Sequence, residues 1–206
     1  MNEDINLKTR LLSLKVISNI LDVLKEKLPA NLYYHNYSHT LDVIDEAFIF
    51  ATADGLTERE IELLLIAAAY HDSGFINLAK ENEALGSELA VKALQLVGGY
   101  TRQESDLIKT MILDTTVRST KVGFKQVPST ELSKYLLDAD VSNLGREDFF
   151  EKGELVRKEL GNIPKTIFYN HSLSLMKVHQ WYTSAAKKLR QSQKEKNIAK
   201  LETIRN

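Results

Sequence analysis

The 206-residue chain is 43% hydrophobic and 27% charged, which supplies the core of one globular domain or two small ones. Its formal net charge of -1 gives no electrostatic case for nucleic acid or an anionic membrane. With no cysteine, disulfides, Cys-ligated zinc, iron–sulfur clusters and thiol nucleophiles are excluded, so any metal must be held by histidine and carboxylate.

The N-terminal stretch MNEDINLKTRLL is charged and lacks a signal-peptide core, and IELLLIAAAY is too short to span a bilayer, so a cytoplasmic protein is expected. Leu7, Leu11, Leu14, Leu21, Leu24 and Leu28 mark a helical stripe closed by Pro29. YYHNYSHT (Tyr33 to Thr40) then opens a second helix reaching about Ala53. Asn36 is its expected cap, with His39 on the side of Val43, Ala47 and Phe50. ADGLTERE supplies a break and the Thr57-x-x-Glu60 capping signature. Ile61 to Tyr70 is apolar almost all round, the mark of a buried central helix.

Helices are predicted over 81–97, ended by Gly98-Gly99, and over 101–113, with a Thr101-x-x-Glu104 cap. TTVRSTKVGFKQVPS is the one long irregular connection, and connections of that length are often lids or binding loops. Helices follow over 130–143, 146–160 and 164–190, with a polar C-terminal helix over about 194–204. The basic residues from Lys187 onward read as a solvated face. The expectation is an all-α, compact single-domain helical bundle over 1–206, with its core in about 30–190.

The central helix ends in His71-Asp72, and such groups are costly inside an apolar core unless paired. A hydrogen-bonded His–Asp pair, a histidine on the helix dipole and a metal site all remain open for this dipeptide alone. His39, facing the core one helix earlier, favours the metal. In LLDADVSNLG, Asp138 shares a face with Lys134 and is assigned to a solvent-side ion pair, whereas Asp140 is directed inward. Two imidazoles and two carboxylates suit a divalent ion, with positions left open.

The ordered pattern His39, His71-Asp72, Asp140 resembles the HD-domain superfamily of metal-dependent phosphohydrolases, from about Tyr33 to Leu201. YHNYSH, ENEALGSELA, LLDADVSNLG and VRKEL look like a branch of that superfamily beginning YHN-x-x-H. YHNYSHTLDV is also similar to a motif of cyclic-nucleotide phosphodiesterases. The resemblance implies an all-helical HD-type fold and a divalent ion (Mn, Fe, Ni, Co, Mg or Zn) held by His39, His71, Asp72 and Asp140. It further implies hydrolysis of a small phosphate mono- or diester, a nucleotide above all, by a metal-activated water.

Asp72 would orient that water, and His35 would protonate the leaving oxygen; a histidine in a turn is the equal alternative for His35. Asn82 and Glu83 are implied near the substrate. Arg157, in VRKEL, is the first choice for phosphate, ahead of Lys109, Arg118 and Lys121. The third histidine of many two-metal relatives is missing, with Glu83 and Asp114 where it might stand. One tight ion is therefore expected, with at most a weak second one bridged by Asp72, and the oxygenase members of the superfamily are disfavoured. His179 is assigned to packing. The second reading is a catalytically weak module that binds a nucleotide or a protein partner. A third is a metal-free buried hydrogen-bond network.

Overall fold

The structure, a computed structural model, describes residues 2–77, 80–120 and 123–205. Ten helices are described: α1 (Asn2–Leu12), α2 (Lys15–Lys27), α3 (Tyr37–Ala53), α4 (Glu58–Tyr70), α5 (Asn82–Val97), α6 (Arg102–Asp114), α7 (Glu131–Asp140), α8 (Phe149–Glu159), α9 (Lys165–Val178) and α10 (Ser184–Arg205). Short 3-10 turns follow α4 (Ser73–Ile76) and α7 (Ser142–Gly145). The all-α expectation holds apart from one small antiparallel ribbon, β1 (Arg118–Thr120) and β2 (Gly123–Lys125), which pairs Arg118 with Lys125. It lies inside the connection expected to be irregular.

The centre is α4, which packs against α2, α3, α5, α6 and α7. Ile61 and every residue from Leu63 to Tyr70 are buried, as its all-round apolar sequence requires. Truncating one of these leucines costs about 2–5 kcal/mol. The Tyr70 hydroxyl donates to the carbonyl of Val16 at 2.9 Å, pinning α2 to the end of α4. Both capping boxes form: Thr57 with Glu60, and Thr101 with Glu104. No described helix is long and apolar enough to cross a membrane.

Two helix boundaries depart from the periodicity. The leucine stripe is interrupted where the Ser13 hydroxyl donates to the Arg10 carbonyl at 2.7 Å and Leu14 adopts an extended backbone, separating α1 from α2. The helix expected over 164–190 ends at Val178, and α10 then runs unbroken from Ser184, absorbing the separate 194–204 helix.

The cause of the second break is Asp138. Its carboxylate accepts from the Tyr182 and Thr183 amides and the Thr183 hydroxyl at 2.8–3.1 Å, fixing the turn that starts α10. This overturns the solvent-side pairing assigned to Asp138, which is fully buried; Lys134 bonds Glu131 instead, at 2.6 and 2.8 Å. Helix α7 is covered by α3 and α4 and also by α10, so positions 138 and 140, about 200° apart around the helix, are both interior.

Candidate metal centre

Three packed helix ends meet at the site. His39 lies in the first turn of α3, whose cap is Asn36: its side chain accepts from the amides of Ser38 at 2.9 Å and His39 at 3.3 Å. The expected cap is therefore present. His71 and Asp72 leave the C-terminal end of α4, and Asp140 is the last residue of α7.

His39 Nε2 lies 3.1 Å from Asp140 Oδ1 and 3.4 Å from His71 Nε2. His39, His71 and Asp140 each bring one ligand atom within 4.8 Å of the others, the spacing of groups able to share an ion. Asp72 joins them: its Oδ2 is 3.1 Å from His71 Nε2 and 3.5 Å from His39 Nε2.

Hydrogen bonding prepares these atoms for a cation. His71 Nδ1 lies 2.7 Å from the carbonyl of Ala68, an acceptor only, so in the neutral ring Nδ1 carries the proton and the Nε2 lone pair turns to the cluster. Asp72 Oδ1 accepts from the Asn82 amide at 3.1 Å, while the buried Oδ2 has no hydrogen-bond partner. An orphaned buried carboxylate oxygen is costly unless a cation meets it.

Electrostatics point the same way. Burial opposes charge on His71, but the carboxylates of Asp72 and Asp140 prevail and raise its pKa to about 9. Burial likewise disfavours the Asp72 and Asp140 carboxylates, yet His71 and His39 hold both below the usual carboxylate range. Two charged carboxylates in a buried pocket attract a positive charge, and a divalent ion fits this donor set.

The close approach of α5 depends on two glycines. A Cβ on Gly74 would sit 2.0 Å from the Asn82 carbonyl oxygen, and one on Gly86 would sit 2.6 Å from the Tyr70 carbonyl oxygen. Without them α5 could not lie against the α4 terminus, and Asn82 could not reach Asp72. Asn82 thus orients the Asp72 carboxylate. Glu83, one residue further into α5, is half-buried; burial, and then the negative charges of Asp72 and Asp140, raise its pKa.

His35 borders the site through an edge-to-face contact with the His39 ring, centroids 5.7 Å apart, and stacks on Phe75 at 5.2 Å. Its Nδ1 is bonded to Glu159 Oε1, and Glu159 Oε2 accepts from the amides of Tyr34 at 2.8 Å and His35 at 3.1 Å. Burial lowers the His35 pKa, but Glu159, Asp72 and Asp140 outweigh it and the net direction is upward. His35 is therefore held by a specific carboxylate, in contrast to a free turn residue.

Arg157 is not brought to the cluster. Its guanidinium bonds Glu154 at 2.9 and 3.0 Å and the Ile163 carbonyl at 3.0 Å, closing the end of α8. Two residues along and about 200° around the same helix, Glu159 is the member of VRKEL that reaches His35. Asp114 is also elsewhere, accepting from the Ser129 amide and hydroxyl at 2.6 and 2.7 Å. Lys109 and Arg118 are exposed on α6 and β1, and Lys121 lies outside the described residues.

Sequence reasoning missed Glu159, Phe75 and Gln126, whose amide donates to Asp140 Oδ2 at 2.5 Å and to the Thr115 carbonyl at 2.8 Å. Glu159 and Gln126 each lay within a segment already singled out, VRKEL and the long connection TTVRSTKVGFKQVPS, but neither carried a signal of its own.

Helical bundle and histidine–aspartate cluster together define a helical protein with a candidate divalent-metal centre. The fold is that of known structures. One, from an uncultured Thermotogales bacterium and described as a predicted HD superfamily hydrolase, is 18% identical with a TM-score of 0.61, covering 91% of this chain and 90% of that one. Another, from Lactobacillus plantarum, is 16% identical with a TM-score of 0.65, covering 93% of this chain and 97% of that one. No family model matches the sequence, and no curated protein matches it.

Proposed function

We propose that this chain is a metal-dependent phosphohydrolase of the HD-domain superfamily, cleaving a small phosphate mono- or diester. The observation that carries the reading is the convergence of His39, His71, Asp72 and Asp140, with Asp72 Oδ2 buried and unpartnered among imidazole nitrogens. The similarity of fold to a protein described as a predicted HD superfamily hydrolase supports it.

His39, His71, Asp72 and Asp140 would hold the ion. When bound, a divalent ion supplies an activated water nucleophile and polarises a phosphoryl oxygen. Asp72 accepts a hydrogen bond from the attacking water and sets its direction, itself oriented by Asn82. Attack on phosphorus breaks the bond to the ester oxygen, which needs a proton as it leaves. His35 donates it: Glu159 holds Nδ1, so Nε2 faces outward from that bond, and the carboxylate favours the protonated imidazole. A nucleotide is the substrate class that the resemblance implies.

Metal analysis with Asp72→Ala tests the reading. The parent should take up about one equivalent of manganese, iron, nickel or cobalt and hydrolyse phosphate esters, and the variant should do neither. Metal content that stays far below one equivalent after addition of each ion would exclude an enzyme of this kind and leave the metal-free network.

A further inference from the structure

A cavity of about 260 Å³ shares Gln126 with the candidate metal centre and is lined by Val117, Leu137, Val141, Leu144, Leu175 and Val178. It exceeds the roughly 150 Å³ that suffices for benzene in an apolar cavity. Its lining contains no carboxylate; the one lysine there, Lys125, makes no ion pair with a described residue. Val117, Leu175, Val178 and Tyr182, between 37% and 58% exposed, are large apolar side chains that all border this one cavity. Clustered exposure of that kind marks a binding surface.

The cavity is tied to Asp140 in two ways. Gln126 is a wall of the cavity and also the donor to Asp140 Oδ2. Leu137 lies three residues before Asp140 on α7, and Val141 caps that helix, so the metal-ligand candidate and two cavity residues sit together at its C-terminal end. Several polar atoms on the lining already have partners: the Gln126 amide, its carbonyl with the Tyr182 hydroxyl at 2.8 Å, and His179 Nδ1 with Lys194 at 2.9 Å. The rest of the lining is largely aliphatic, so an alkyl or aryl group, which needs no hydrogen bonds, suits it better than a sugar.

From this we infer that the cavity receives the organic group of the substrate, and that the substrate is the phosphate ester of an apolar alcohol. The inference rests on the phosphohydrolase reading and replaces the nucleoside by a hydrocarbon body. The phosphate belongs at the His39–His71–Asp72–Asp140 cluster and the apolar group beyond Gln126.

Calorimetric titration of the manganese-loaded protein with octylphosphonate and methylphosphonate tests it, since neither has an ester bond to hydrolyse. Octylphosphonate should bind at least tenfold tighter. Leu175→Asp and Val178→Asp, at the exposed rim, should remove most of that advantage and leave methylphosphonate binding unchanged. Equal affinities, a preference that survives both rim variants, or adenosine monophosphate binding tighter than octylphosphonate would overturn the inference. If neither phosphonate binds, the phosphate reading of the metal centre fails, and octanol decides the cavity alone. Saturable octanol binding lost in the rim variants upholds the apolar site; its absence overturns it.

Discussion

Asn82 donates its side-chain amide to Asp72 Oδ1 at 3.1 Å and leaves Asp72 Oδ2 directed at two imidazole nitrogens. A carboxylate held by one oxygen presents the other in a fixed direction, and loss of such a supporting bond commonly lowers metal affinity 10- to 100-fold. Asn82→Ala should therefore weaken manganese binding by about that factor in a chelator competition, with the thermal midpoint in the presence of chelator little changed. Asn82→Asp, which places a second carboxylate against Asp72, should not rescue it.

The Glu159–His35 pair predicts a leaving-group dependence. His35→Ala should retain the metal yet lose about 10²–10⁴-fold in kcat on an alkyl phosphate, the range of general acid catalysis. A nitrophenyl ester, whose leaving oxygen needs no proton, should lose far less. Glu159→Gln should fall between parent and His35→Ala on the alkyl ester. Equal losses on both esters would remove His35 from the acid role.

Asp138 closes the turn before α10 through two backbone amides and one hydroxyl. Asp138→Ala strands those buried donors and should cost about 2–4 kcal/mol in urea unfolding. Asp138→Asn retains an acceptor and should cost less.

His179 gives the folded state a pH dependence. Burial, and then the charge of Lys194 on its Nδ1, depress its pKa from 6.5 to about 3. Below pH 6.5 the unfolded chain binds a proton that the folded chain resists, so stability falls as pH drops from 6.5 toward 3. This site contributes at most about 1.4 kcal/mol per pH unit, reduced by its partial exposure. Urea midpoints of the parent should decline across that window more steeply than those of His179→Gln, with the two curves parallel above pH 7.

Local chemistry wrote much of this molecule into its sequence. The all-round apolar helix Ile61–Tyr70, the capping pairs Thr57–Glu60 and Thr101–Glu104, and the Asn36 cap depend on neighbours three or four residues away, so spacing alone reveals them. His39 was placed toward the core by the same periodicity, and the His71-Asp72 pair by its position at the end of a buried helix. Partners far apart in the chain were decided only by tertiary structure. Asp138 looked solvent-facing because its lysine neighbour is local, whereas its donors, Tyr182 and Thr183, are over forty residues away and also cut the expected 164–190 helix. Arg157 and Glu159 stand two positions apart in VRKEL, and only the docking of α8 beside Tyr34 and His35 shows that the acid, and not the base, meets the site. A periodic pattern reports which side of a helix is buried, but not which of several covering elements buries it.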